Sequence, residues 1–252
     1  MKNSIGIIGG MGPHAGLDLF EKILNNTDAN TDKDHLPIIL FSFPKKIPDR
    51  NDFLFGRSKK NPAYNIADII EKAHFIGSNI IGIACNAAHS PKIFHKIKSL
   101  LLDKDIKVQL INMVDETARH IKINFNQINK LGVLSIEGTF YAKTYENKLL
   151  EYGLDYIIPS KEIIHKMHEC VWNSNYGIKS CPSPISQKVK SELIDIINYF
   201  KEYGAQAIIL GCTEFPMAIN KRIISNIPIF DPNQILARAL ISAYKNNKDN
   251  NN

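Results

Sequence analysis

Residues 77–86 read G-S-N-I-I-G-I-A-C-N, and residues 204–213 read G-A-Q-A-I-I-L-G-C-T. Each starts on a glycine, runs through apolar residues and reaches a cysteine eight residues on, Cys85 in one and Cys212 in the other. Each follows an amphipathic stretch, I-A-D-I-I-E-K-A-H-F-I at 66–76 and E-L-I-D-I-I-N-Y-F-K-E-Y at 192–203. The two cysteines are 127 residues apart in a chain of 252. A second pair, G-I-I-G-G-M-G from Gly6 and G-V-L-S-I-E-G-T from Gly132, repeats at an offset of 126. The chain therefore reads as two copies of one half-domain, each ending a buried strand on a cysteine. Facing each other across a pseudo-twofold axis, two such halves aim two thiols into one cleft.

Short apolar runs bounded by glycine or proline predict strands at Ser4–Ile8, Pro37–Phe43, Ile80–Ala84 and Val108–Ile111. The cycle restarts with strands at Gly132–Leu134, Leu154–Ile158, Ala207–Leu210 and Ile227–Phe230. Helical periodicity falls at Pro13–Asn25, Asn65–Ile76, Pro91–Leu102, Met113–Asn124, Tyr141–Tyr152, Lys161–Trp172, Gln187–Tyr203 and Asn233–Tyr244, and Pro44–Gly56 reads as a loop. Strands alternating with helices give an α/β fold class: two pseudo-symmetric parallel-sheet α/β domains with the active site in the cleft between them. The expected lobes are 1–112 and 113–231, with the final helix, 232–245, packing back on the first lobe and a disordered tail at 246–252. Right-handed crossovers put the strand C-termini of each lobe on one edge, where open parallel sheets bind ligands.

Composition narrows the class. Hydrophobic residues make up 44% of the chain, enough for a core that needs no disulfide or metal staple. The four cysteines, Cys85, Cys170, Cys181 and Cys212, form no C-x-x-C and no zinc spacing. His165 and His168 are three apart on a helix, but no third ligand is evident, so no metal is expected. Met1–Gly10 is too short and too glycine-rich for a secretory leader, and no apolar run reaches membrane-spanning length. A cytoplasmic protein with reduced thiols is expected. The net charge of +6 reads as a lysine-rich surface. Lys45-Lys46 and Lys59-Lys60 lack the interleaved aromatics of a nucleic-acid surface. Gly9, Gly10 and Gly12 do not make a G-x-G-x-x-G loop, so no dinucleotide is expected.

Cys85 precedes Asn86 and a helix start near Pro91; Cys212 precedes Thr213 and a helical segment near Pro216. A thiol at a helix N-terminus is expected to favour the thiolate. One sulfur can then take a proton from one face of a carbon while the other gives a proton to the opposite face.

The motifs G-I-I-G-G-M-G-P at Gly6–Pro13, I-P-D-R at Ile47–Arg50, C-N-x-A-H at Cys85–His89, E-G-T at Glu137–Thr139, Y-G-I-K at Tyr176–Lys179 and G-C-T-E at Gly211–Glu214 together resemble the aspartate/glutamate racemase family. The ordered set spans roughly residues 4–235. The resemblance implies proton exchange at the α-carbon of an acidic amino acid, without pyridoxal phosphate or any other cofactor, by catalytic Cys85 and Cys212. It implies a substrate side-chain carboxylate on Arg50 and Lys179. Asn86, Thr139 and Thr213 would hold the amino and α-carboxylate groups, with Met11, Gly12 and Ala87 lining the site. Asp49, His89 and Glu214 would stand behind these groups, and a homodimer is expected.

Three threonines common in the family are replaced here, by Gly16, Ala87 and Ile136. Those changes bear on the substrate and leave two rival readings. One is a maleate-type cis-trans isomerase using the same cysteines. The other is a non-catalytic amino-acid sensor.

Overall fold

A computed structural model describes residues 3–249. Its first half runs β1 (Ser4–Gly9), α1 (Pro13–Asn26), β2 (Ile38–Ser42), α2 (Arg50–Leu54), α3 (Ala63–Phe75), β3 (Ser78–Ile83), α4 (Pro91–Asp103), β4 (Gln109–Ile111) and α5 (Met113–Asn124). The second runs β5 (Lys130–Leu134), α6 (Glu137–Tyr141), α7 (Glu146–Glu151), β6 (Asp155–Tyr156), α8 (Lys161–Trp172), α9 (Gln187–Glu202), β7 (Ala207–Leu210), α10 (Phe215–Ala218), β8 (Ile223–Ile224), β9 (Ile227–Phe230) and α11 (Pro232–Asp249). The helix starts follow local chemistry. Asn112 accepts from the Val114 and Asp115 amides at α5, and Ser160 and Ser186 accept from Ile163 and Val189 at α8 and α9. Pro13 and Pro91 open α1 and α4, where a missing N–H costs nothing.

The strands form two sheets, ordered β2-β1-β3-β4 and β6-β5-β7-β9-β8. Every pairing is parallel except β8 on β9. The order of the first four strands is the same in both halves, and so is one packing detail. Gly6 pairs in register with Ile81, and Gly132 with Ile208. A Cβ at Gly6 would stand 2.7 Å from Ile81 Cδ1; one at Gly132 would stand 2.6 Å from Ile208 Cδ1. The repeat in the sequence is thus a repeat of side-chain packing, glycine beneath isoleucine at the centre of each sheet.

Both sheets are covered on both faces, which is why their strands read as unbroken apolar runs. In the first, Ile81 and Ile83 pack with Ile70 and Ile97 of α3 and α4, while Ile5 and Ile80 face Leu19 of α1 and Leu240 of α11. In the second, Ile208 and Leu210 pack with Met167 and Phe200 of α8 and α9, while Leu131 and Ile209 face Ala118 and Leu149 of α5 and α7. Helix α5 stands between the two cores: Met113 belongs to the first and Val114 to the second. Helix α11 lies on α1 and the first sheet, with Ile235 reaching into the second core.

Four elements differ from the sequence reading. The loop at 44–56 contains α2, a single turn capped by Asp49, too short to show periodicity. The helix expected over 141–152 is two pieces, because Lys143 turns left-handed at φ 51° and closes α6. The strand expected over 154–158 keeps only two paired residues, Asp155 and Tyr156. Residues 246–249, expected in a disordered tail, are the last turn of α11; 250–252 lie outside the described residues. Among the described residues no helix is long and apolar enough to cross a membrane.

Gly132→Ala is expected to lower stability by about 1–3 kcal/mol through overpacking, since the new methyl would meet Phe200 Cγ at 2.7 Å as well as Ile208. Urea unfolding measures this, and an unchanged midpoint would contradict the packing account.

Candidate active site

Cys85 lies two residues past β3 and Cys212 two residues past β7, and both are buried. They line the same cavity of about 20 Å³ between the lobes. The first lobe contributes Met11, Arg50, Asn51, Asn86 and Ala87 to its wall. The second contributes Ile136, Thr139, Trp172, Lys179, Gly211, Thr213 and Glu214. Among the described residues no group of three His, Cys, Asp or Glu side chains could hold a metal.

Arg50 sits at the first turn of α2 and is 8% exposed. Its Nη2 donates to the Met11 carbonyl at 2.5 Å and its Nη1 to the Pro48 carbonyl at 3.4 Å. The Asp49 carboxylate, expected nearby, is 3.9 Å from Nη1 and is occupied in capping α2 through the Asp52 amide. Arg50 Nε has no partner. A buried guanidinium with only carbonyls and a distant carboxylate around it is a site for an anion.

Asn86 links the lobes: its Oδ1 accepts from Tyr145 Oη at 2.5 Å, and its Nδ2 is buried without a partner. His89 stands behind Cys85, outside the cavity wall. Its Nδ1 is 2.9 Å from the Cys85 carbonyl, and its ring stacks on Phe94. A carbonyl only accepts, so Nδ1 carries the proton. Burial, partly opposed by the Cys85 and Ile111 carbonyls, pulls the His89 pKa down to about 4, so the ring is neutral.

On the facing wall, Glu214 is shared between two partners. Its Oε1 accepts from Lys179 Nζ at 2.5 Å; its Oε2 accepts from Cys212 Sγ at 3.1 Å and from Thr213 Oγ1 at 3.2 Å. Lys179 Nζ also lies 5.0 Å from the centre of the Trp172 ring. Burial alone would raise the Glu214 carboxyl, but the charge and hydrogen bonds of Lys179, with the Cys212 thiol, outweigh it and hold it below its usual value. Burial first, and then the Glu214 charge, pushes Cys212 well above the ordinary thiol range. This corrects the expectation of a helix-start thiolate there. The helix after Cys212, α10, is only four residues long, and a carboxylate sits closer than its dipole.

Glu214, expected behind the site, is thus in its wall. Gly12, expected to line it, instead caps α1, and a Cβ there would stand 2.9 Å from Glu214 Oε1. The sequence reading did not name Asn51, Trp172 or Gly211 as wall residues. Asn51 follows Arg50 in a helix too short to be read, and Trp172, the only tryptophan, was read only as the end of a helix.

The Asp/Glu/Hydantoin racemase family model matches residues 8–240. The chain belongs to this family. It is similar over 96% of its length to the aspartate racemase of Picrophilus torridus, covering 95% of that chain at 31% identity with a TM-score of 0.78. It is 26% identical over 246 residues to the broad specificity amino-acid racemase RacX of Bacillus subtilis, covering 95% of this chain and 97% of that one. The glutamate racemase of Francisella tularensis, in complex with D-glutamate, shares the fold at 18% identity and a TM-score of 0.66, over 98% of this chain and 82% of that one. In this chain the cavity sets Cys85 and Arg50 on one wall and Cys212 with the Lys179–Glu214 pair on the other.

Lys179→Met would leave a buried carboxylate unpaired and is expected to cost about 3–5 kcal/mol near neutral pH. The sign follows from the pair. With Lys179 in place, the lowered Glu214 pKa favours folding above the ordinary carboxyl value, and that stability fades as pH falls through the lowered value. Without Lys179 the folded pKa lies above the unfolded one, so the deficit narrows on acidification. Urea unfolding across the acidic range checks this; a deficit independent of pH would contradict it.

Proposed function

We propose that this chain racemises an acidic amino acid, aspartate or glutamate, without a cofactor, by passing the α-proton between Cys85 and Cys212. The observation that carries the reading is the pairing of two thiols, one from each lobe, in a cavity lined by Arg50, whose buried Nε has no partner. Lys179 and Glu214 cancel, so the fixed charges of the wall sum to one positive charge. An acidic amino acid carries one net negative charge and complements that sum.

In this reading Arg50 takes a carboxylate through its free Nε face, and Asn86 Nδ2 donates to the other. Thr139 and Thr213 hold the substrate from the second lobe. Cys85 and Cys212 face the α-carbon from opposite sides, one taking its proton while the other returns one. The α-proton of an amino acid is a weak acid without an electron sink. The load falls on preorganised donors at the developing negative charge, in a cleft closed to water. Cys85 and Cys212 exchange roles for the opposite enantiomer. Entry of a substrate into so small a cavity requires the lobes to part. We take the enzyme to work as a cytoplasmic homodimer, which sedimentation would test.

Proton NMR of the α-hydrogen in D₂O, starting from each enantiomer of aspartate and glutamate and then a wider panel, tests the reading. Washout of the α-signal with growth of the opposite enantiomer is expected. Cys85→Ser and Cys212→Ser should each slow racemisation by about 10²- to 10⁴-fold. Full activity in both variants would rule out the two-thiol route. Failure of every amino acid to exchange would remove the racemase assignment itself.

A further inference from the structure

We propose that Glu214 couples the charge on the substrate's side chain to the ionisation of Cys212. An acidic side chain draws Lys179 off Glu214, and the freed carboxylate takes the Cys212 proton. The inference rests on the reading of an acidic amino acid as substrate, and it makes Glu214 a determinant of specificity as well as of chemistry.

The geometry is that of one carboxylate serving two masters. Oε1 holds Lys179 at 2.5 Å and Oε2 holds the Cys212 thiol at 3.1 Å. Glu214 is 6% exposed, so what faces it inside the protein sets its charge state. Those groups are Lys179, Cys212, Thr213 and, at longer range, Arg50. Only Lys179 is a contacting counterion. Lys179 itself is in the cavity wall, resting on the Trp172 face, and is within reach of whatever fills the cavity.

A substrate with two carboxylates brings one more anionic group than Arg50 alone can meet. The second cation available in the wall is Lys179. If the substrate's carboxylate takes it, Glu214 keeps its burial and loses its counterion. Both effects favour the protonated carboxyl, and protonating it removes the charge that, after burial, most strongly holds the proton on Cys212. The donor already in place is the Cys212 thiol. The proton moves from Sγ to Oε2, the S–H electron pair stays on sulfur, and the pair keeps its single negative charge. A neutral thiol becomes a thiolate beside the α-carbon only after an acidic substrate has arrived. A neutral side chain leaves Lys179 on Glu214, and Cys212 stays a thiol. Discrimination then appears in the rate of the chemical step rather than only in binding.

The test uses succinate and its monoamide, succinamate, which lack an α-amino group and do not turn over. Each is titrated into the Cys85→Ser, Cys181→Ser chain while thiolate absorbance in the ultraviolet and heat of binding are followed together. Cys170 stays silent, because burial pushes its pKa up to about 12. The expected result is one thiolate per bound succinate, none with succinamate, and none with either in the same chain carrying Glu214→Gln. In the wild type, α-proton exchange of aspartate should exceed that of asparagine in kcat by about 10²-fold, the scale of a positioned acid–base group. Succinate bound without a thiolate signal overturns the coupling, as does an aspartate preference confined to KM. Failure of succinate to bind overturns it too. Washout of the aspartate α-signal by the wild type reports separately on the racemase reading, so the two failures are distinguishable.

Discussion

A parallel strand is held only as far as its neighbours pair with it, and past the last ladder bond the chain must turn. In this protein that point decides the site. The Ala84 amide still bonds to the Ile8 carbonyl at 3.0 Å, and the next residue is Cys85. On the other lobe the Gly211 amide turns back to Ile209 at 3.0 Å, and the next residue is Cys212. Any side chain at Gly211 would press on the Leu134 carbonyl, at 2.9 Å from its Cβ, so the chain leaves the sheet there at close quarters. The sulfurs are held two residues past β3 and β7, each an interior strand of its sheet. A group that must meet one face of a carbon atom needs that kind of placement.

The same edge gathers charge that would be costly elsewhere. Arg50 Nε and Asn86 Nδ2 are buried donors without acceptors, each a cost of about 1–3 kcal/mol in a finished interior. Both belong to the first lobe and both look into the cavity. On the second lobe the polar groups satisfy one another through Glu214. The cleft is therefore asymmetric although its scaffold is a repeat: one wall leaves donors of Arg50 and Asn86 unpaired, and the other holds a self-neutralised pair around its thiol. Placing two related half-domains face to face gives two thiols, but only divergence between the halves sets a carboxylate against one of them.

Much of this was legible in the sequence, and what was not has identifiable causes. The offsets of 126 and 127 residues revealed the repeat because buried parallel strands leave continuous apolar runs, and the glycine–isoleucine contact beneath each run has its own spacing. Cys85, Arg50, Asn86, Thr139, Lys179 and Cys212 were named from motif order, and the cavity brings all six together. What motif order cannot show is which way a side chain turns. Glu214 is adjacent in sequence to the Thr213 that shares its oxygen, yet its effect on Cys212 depends on a lysine 35 residues away. The dipole argument for a thiolate failed at that point: burial, and then a contact at 3.1 Å with a charged carboxylate, outweigh a helix of one turn. Asn51 and Trp172 stayed hidden because short helices and single aromatics have no period to read.

The three replaced threonines are not equivalent once placed in the fold. Gly16 lies against the first sheet, where a Cβ would stand 2.9 Å from Leu40 Cδ1 and 3.2 Å from Gly9 Cα. A larger residue there would push α1 off β1, so the glycine answers to packing. Ala87 and Ile136 do face the cavity, from opposite lobes, and with Met11 and Trp172 they give it an apolar share. Two hydroxyls that could have fixed a substrate by neutral hydrogen bonds are thereby exchanged for hydrocarbon. On the proposed reading, orientation then comes from Arg50 and the Lys179–Glu214 pair, with the two hydroxyls that remain in the wall, Thr139 and Thr213. Hydroxyls read shape at short range, whereas a guanidinium and a mobile ammonium accept a carboxylate at more than one distance. On the proposed reading, a site built this way is expected to discriminate by the number of charges its ligand carries more strongly than by the length of the chain between them.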